Sequence, residues 1–183
     1  MFAAILVPLR TPQERAAYLL THFCDSLNFA DTVHSRNSIF MEQNLISYFS
    51  LFPHVQAEAR IMAVKSLMQR AEVDETAYRL LARLAEKHLY TFGSPMQNEE
   101  YFIPFLEEIV GTSLLDETEK SRFRFLLSAA LKNRPGTMAT DFTYLTPNGE
   151  LQTLYTVPVT CRLLLLFYDP DCLHCRETIN ALR

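Results

Sequence analysis

Glycine is scarce in this chain, with four in 183 residues, and tryptophan is absent altogether. So few glycines argue against an all-β fold, whose tight hairpin turns draw repeatedly on positive φ. The four cysteines, Cys24, Cys161, Cys172 and Cys175, are too few for a disulfide-held scaffold. No apolar run approaches the ~18 residues needed to cross a bilayer, so no integral membrane span is expected. Neither sign of charge dominates. The formal net charge of −4 gives no electrostatic footing for nucleic acid or anionic lipid, and no nucleic-acid partner is expected. Residues 1–9 are apolar but lack a basic n-region and a small-residue cleavage site, so they do not form a complete signal peptide. They read either as the remainder of a clipped leader or as a buried N-terminal strand.

What the chain does contain, over residues 11–134, is one amphipathic helical pattern after another. Thr11-Pro12-Gln13-Glu14 forms a capping box with proline at the first helical position. Behind it Ala16, Leu19, Leu20, Phe23 and Leu27 recur at helical spacing. A second helix follows Asn37 or Ser38, carries Leu45, Tyr48, Phe49 and Phe52, and ends at Pro53. The third holds Ala57, Ile61, Val64 and Met68. The fourth starts at Asp74, buries Ala77, Leu80, Leu81 and Leu84, and has Gly93 beyond its end. A fifth runs from about Asn98 to Val110 with Phe102, Phe105, Leu106 and Ile109 in register, and Pro104 should kink it or mark a one-turn start. The sixth opens at Asp116 with Glu119 three residues on, and carries Phe123, Leu126, Leu127, Ala130 and Leu131. Short amphipathic helices gain stability by packing on one another, so this part is expected to be a bundle or array of about six helices. The phenylalanines Phe23, Phe40, Phe49, Phe52, Phe102, Phe105, Phe123 and Phe125 read as its core. An array of short helices also leaves a concave face, where some of them can line a groove.

The pattern changes at Asn133-Arg134-Pro135-Gly136, where periodicity switches from helical to alternating. Phe142 and Tyr144, then Leu151 and Leu154, bracket a Pro147-Asn148-Gly149 turn and predict a β-hairpin. After a break at Val157-Pro158-Val159, residues 163–168 read as a fully buried strand of the parallel kind. Asp169-Pro170-Asp171 then leads into Cys172-Leu173-His174-Cys175 and the start of a helix. Unpaired N–H groups and the positive end of the dipole at a helix N-terminus stabilise a thiolate, which makes the first cysteine a nucleophile near neutral pH. The second, one turn on, can resolve a mixed disulfide.

These residues carry a resemblance. Pro135-Gly136 through Asp141-Phe142, the Asn148-Gly149 turn, and the strand-plus-CxxC from Leu164 to Cys175 resemble the opening third of an envelope thioredoxin-like protein. The group is that of thiol-disulfide oxidoreductases and alkyl-hydroperoxide-reductase-like proteins. The helical part is similar to an uncharacterised helical domain that precedes thioredoxin-like domains in Bacteroidetes-type secreted proteins. That likeness rests on Thr11 to Leu19, Leu51-Phe52-Pro53-His54-Val55, Ala85-Glu86-Lys87-His88-Leu89-Tyr90 and Ser94 to Tyr101. The resemblance implies a catalytic pair in which Cys172 attacks and Cys175 resolves, and a redox-tuning role for His174. It implies a protein disulfide or dithiol as substrate or redox partner, a periplasmic or cell-envelope location, and no cofactor or metal. It also leaves the cis-proline loop, the remaining strands and the closing helices unaccounted for. The expectation is therefore a truncated thioredoxin-like segment that is inactive alone, with the strand at 163–168 short of pairing partners.

Other readings of the same residues carry less. Zinc needs four ligands, and Cys161, His174 and the distant His22, His34, His54 and His88 supply no second paired spacing. A CxxC is also short enough to arise by chance. His54 and His88 with Glu99, Glu100, Glu107 and Glu108 suggest acid–base work, but no nucleophile, base and oxyanion donor converge in the pattern. Cys24 and Cys161 read as small core or boundary residues. The chain is thus read as mainly α, with residues 1–134 an all-helical binding or positioning domain and residues 135–183 the N-terminal, incomplete α/β part of a thioredoxin-like domain (hairpin, strand, start of a helix). The function expected is that of a fragment of a thioredoxin-like thiol-disulfide oxidoreductase; the alternative is a non-enzymatic helical interaction module with a vestigial redoxin segment.

Overall fold

The computed structural model describes residues 11–158 and 163–182. The apolar start at residues 1–9 and Cys161 lie outside them. The chain divides into two compact units, residues 1–139 and 140–183.

The first unit is all helical among its described residues. Helix α1, Pro12–Thr21, begins with the expected capping box: Glu14 N–H donates to Thr11 Oγ1 at 3.1 Å, and Thr11 N–H donates to Glu14 Oε2 at 2.9 Å. It stops at Thr21 and does not reach Leu27; a 3-10 turn, Phe23–Ser26, follows and buries Cys24. A one-turn helix, α2 (Thr32–Ser35), is capped by Asp31, and α3 (Ser38–Phe49) is capped by Asn37. Helix α4, Ala57–Ala71, turns Ala63, Val64, Leu67, Met68 and Ala71 inward, while Ile61, expected on that face, is exposed. Helix α5, Glu75–Leu89, is capped by Asp74 and has a wide buried stripe that includes Ala77, Leu80, Leu81 and Leu84. Helix α6, Glu99–Gly111, runs on through Pro104, which is therefore not a helix start. Proline lacks the N–H that would reach the carbonyl four residues back. Burial of Phe102, Ile103, Phe105, Leu106 and Ile109 around it offsets that loss. Helix α7, Glu117–Ala130, opens with a second capping box between Asp116 and Glu119.

Helix α6 packs against α4, α5 and α7, while α3 packs on α5 and α1 on α4. Aromatic rings meet edge-on in the core: Phe49 with Phe105 at 5.8 Å and Phe52 with Tyr101 at 5.3 Å between centroids. Such pairs favour contact of a positive ring edge with a negative face. Of the expected aromatic core, Phe125 is the exception, 71% exposed on α7. Polar ties hold neighbouring helices in register. Tyr78 Oη donates to the Glu108 carbonyl at 3.1 Å. The Glu42 carboxylate on α3 receives both Lys87 Nζ at 2.6 Å and His88 Nε2 at 2.7 Å from α5.

The second unit begins after the Asn133–Gly136 break, where both end residues have positive φ (+54° and +78°). Strands β1 (Thr143–Leu145) and β2 (Leu151–Thr153) pair antiparallel with Tyr144 opposite Gln152. The Asn148-Gly149 turn closes them, and Gly149 supplies the φ of +80° that a β-carbon would resist. Residues 163–169 form no ladder hydrogen bonds, and their apolar side chains are exposed, Leu164 at 76% and Phe167 at 77%. The expected buried parallel strand is thus not formed. A strand is defined by bonds to a neighbour, and among the described residues none lies alongside. Phe167 makes one ring contact, with Phe142, at 5.6 Å between centroids. Helix α8, Leu173–Ala181, ends the described chain and buries no residue. No helix among the described residues is long and apolar enough to cross a membrane.

Candidate functional site

The CxxC sits where a helix N-terminus can act on it. Asp169 and Asp171 make the turn: Asp171 N–H donates to Asp169 Oδ1 at 2.9 Å, and Cys172 N–H donates to the Asp169 carbonyl at 3.1 Å. Cys172 is then the N-cap of α8, in extended conformation, and its Sγ accepts the N–H of Cys175 at 3.4 Å. Sulfur here does what serine or aspartate oxygen does at other N-caps. A thiolate accepts such bonds better than a thiol, so the Cys172 pKa is pulled down. The Cys175 backbone N–H contributes most, followed by the Cys175 thiol; desolvation opposes them, and the His174 N–H adds the smallest lowering effect.

Cys175, the third residue of α8, is half-buried, and both cysteines are free thiols. The structure therefore brings Cys172 and Cys175 together. The His174 ring is 89% exposed and lies 3.8 Å from Glu177 through Nδ1. What His174 gives the Cys172 sulfur in this geometry is its backbone N–H.

Cys24 is a different kind of cysteine. Burial pushes its thiol up to about 11, so it stays protonated and unreactive at neutral pH. The histidines and glutamates that could suggest acid–base chemistry are spent separately. His88 bonds Glu42, Glu100 is held by both Arg134 Nε and Nη2, and Glu99 stands in the first turn of α6. Among the described residues no three His, Cys, Asp or Glu side chains gather closely enough to hold a metal ion. One cleft lies in the helical unit, lined in part by Phe23 and Phe40 of the expected aromatic set, and there His22 and His34 each pair with an aspartate three positions away. The His–Asp pairs themselves were missed, and their i,i+3 spacing was the local signal of them.

The crystal structure of a thioredoxin-like protein from Bacteroides caccae matches with a TM-score of 0.88 at 36% sequence identity. The match covers 100% of this chain and 65% of that one, so the chain spans about two thirds of its thioredoxin-like relative. Residues 2–133 match the family described as Domain of unknown function (DUF5106), and the chain belongs to that family. Among curated proteins none matches significantly.

Proposed function

We propose that the chain comprises a helical binding or positioning domain, residues 1–134, joined to the N-terminal part of the thioredoxin-like domain of a cell-envelope thiol-disulfide oxidoreductase. The observation that carries this reading is the Cys172 sulfur at the N-terminus of α8, accepting the Cys175 N–H with its pKa lowered. The Cys172 thiolate attacks one sulfur of a substrate disulfide. That S–S bond breaks, the departing substrate sulfur takes up a proton, and a mixed disulfide joins substrate to Cys172. Cys175 then loses its proton and attacks Cys172 Sγ, and the second substrate sulfur leaves as a thiol. Two electrons and two protons pass to the substrate, and the CxxC becomes a disulfide that an external dithiol must reduce. The step needs no metal or organic cofactor.

The exposed, unpaired segment at 163–168 supports slow turnover for this chain by itself, because the turn before Cys172 hangs from it. Site-resolved alkylation with iodoacetamide across pH tests the assignment. Cys172 is expected to react first, with an inflection below that of an ordinary cysteine. A Cys175→Ser variant should trap a mixed disulfide with oxidised glutathione, and Cys172→Ser should not. Insulin reduction with dithiothreitol should be low for this chain, and Cys172→Ser should abolish what there is. Faster labelling of Cys175, or trapping that survives Cys172→Ser, would overturn the reading.

A further inference from the structure

The helical unit holds a cleft of about 680 Å³ that the sulfur chemistry does not use. It is bounded by α1, the 3-10 turn after it, α2 and the start of α3. Its volume falls within the ~300–1,000 Å³ typical of small-molecule sites. Phe23, Phe29, Phe40 and Met41 supply apolar and aromatic wall, with the His34 ring edge-on to Phe40 at 5.3 Å.

Two His–Asp pairs stand among the polar groups of the cleft, beside Ser26, Asn28, Ser35 and Asn44. His22 Nδ1 bonds Asp25 at 2.7 Å, and His34 Nδ1 bonds Asp31 at 2.8 Å. Each ring spends Nδ1 on its aspartate and keeps Nε2 as a second hydrogen-bonding position, donor or acceptor by tautomer. The two carboxylates are held below the usual aspartate range, first by these histidine bonds, and so stay ionised. Arg70, 3.4 Å from Asp25, offsets part of that charge. Ser35 lines the same cleft, is 3% exposed, and its Oγ has no hydrogen-bond partner. A buried hydroxyl left in this state carries a desolvation cost that a bound polar group relieves. No third metal-ligating side chain joins either His–Asp pair among the described residues, so a metal ion lacks a ligand set there.

We propose that this cleft binds a small aromatic molecule, neutral or cationic, that carries hydroxyl or amine hydrogen-bond donors. The aromatic walls take the ring, the carboxylate oxygens accept from the donors, the two Nε2 atoms offer further hydrogen-bonding positions to the ligand's hydroxyl, and Ser35 Oγ completes the set. Two carboxylates at the rim disfavour an anion of the same shape. The proposal stands apart from the thiol reading and survives its failure.

The test is a titration of the full ¹⁵N-labelled chain with tyramine and, separately, with 4-hydroxyphenylacetate, which has a similar ring and phenol but the opposite charge. Tyramine is expected to give saturable shifts at the amides of Phe23, Leu27, His34 and Met41, and to bind at least ~10-fold more tightly than the acid. Ser35→Ala and His34→Gln should each weaken tyramine about fivefold, the effect of one lost hydrogen bond. Ser35→Ala should leave the thermal midpoint of the free protein unchanged or raised, since it removes an unpaired buried hydroxyl. Absence of saturable shifts, equal or tighter binding of the acid, or wild-type affinity in both variants would overturn the proposal. If Ser35→Ala fails to fold, the His34→Gln result decides.

Discussion

The helical unit and the segment that carries the CxxC satisfy their backbones in opposite ways. Each helix closes its hydrogen bonds within itself and needs neighbours only to cover one apolar stripe, which α4, α5 and α6 provide for one another. The segment at 163–169 has an equally apolar sequence, but an extended backbone must find its partners on another strand. Its side chains consequently stand exposed, whereas Phe102, Phe105 and Leu106 are fully buried. Hydrophobicity alone therefore does not order a strand, although it suffices to order helices that come in sets.

The largest expected effect that would break this contrast is in the core. Phe105→Ala should destabilise the helical unit by about 3–5 kcal/mol in urea unfolding, through lost burial and the cavity left behind. Leu164→Ala should change stability by no more than ~0.5 kcal/mol. A substantial cost at Leu164 would mean that the two regions are packed alike.

A second expectation concerns Cys24. Burial raises its thiol from an ordinary 9.0 to about 11. Between those values the unfolded chain has released a proton that the folded chain keeps, so stability is intact below about pH 9 and falls as pH rises toward 11. The share due to this group, isolated by comparing Cys24→Ala with the parent across that window, should be about 2–3 kcal/mol. Equal pH slopes in the two proteins would show that the thiol is not buried as described.

The smallest effect is at a helix end. Asp116 Oδ1 accepts the Glu119 N–H at 2.8 Å, and the Asp116 N–H donates in return to Glu119 Oε2 at 3.2 Å. Asp116→Ala should cost about 1 kcal/mol of the helical unit's stability and leave Cys172 alkylation rates unchanged.

Helix starts were the most legible part of the fold. Thr11, Asp74 and Asp116 cap the helices that their side chains predicted, and of the two starts left open at Asn37 and Ser38 it is Asn37 that caps, because capping is a contact among residues close in sequence. Helix ends were less so. The spacing of Phe23 and Leu27 suits a longer α1, yet the chain turns at His22, and a one-turn helix at Thr32–Ser35 is too short to leave a periodic trace. Phe125 matched the chemistry of a core residue but stands on the outer face of α7. The Cys172 N-cap was readable from a turn followed by CxxC, since turn and helix tip are contiguous in sequence, whereas the strand read before them is not formed. That some of the phenylalanines line a groove was expected, but its place and its His–Asp pairs were not readable, because Ser35, Phe23 and Phe40 come to line one cleft only once separate stretches have packed.

The shared carboxylate of Glu42 has a mechanical consequence. Lys87 and His88 are adjacent in α5, so they leave the helix about 100° apart, yet both end on the same oxygen. A roll of α5 in either direction stretches at least one of these two tethers. The pair thus works as a rotational stop, fixing which side of the helix faces inward by two lateral struts from one anchor.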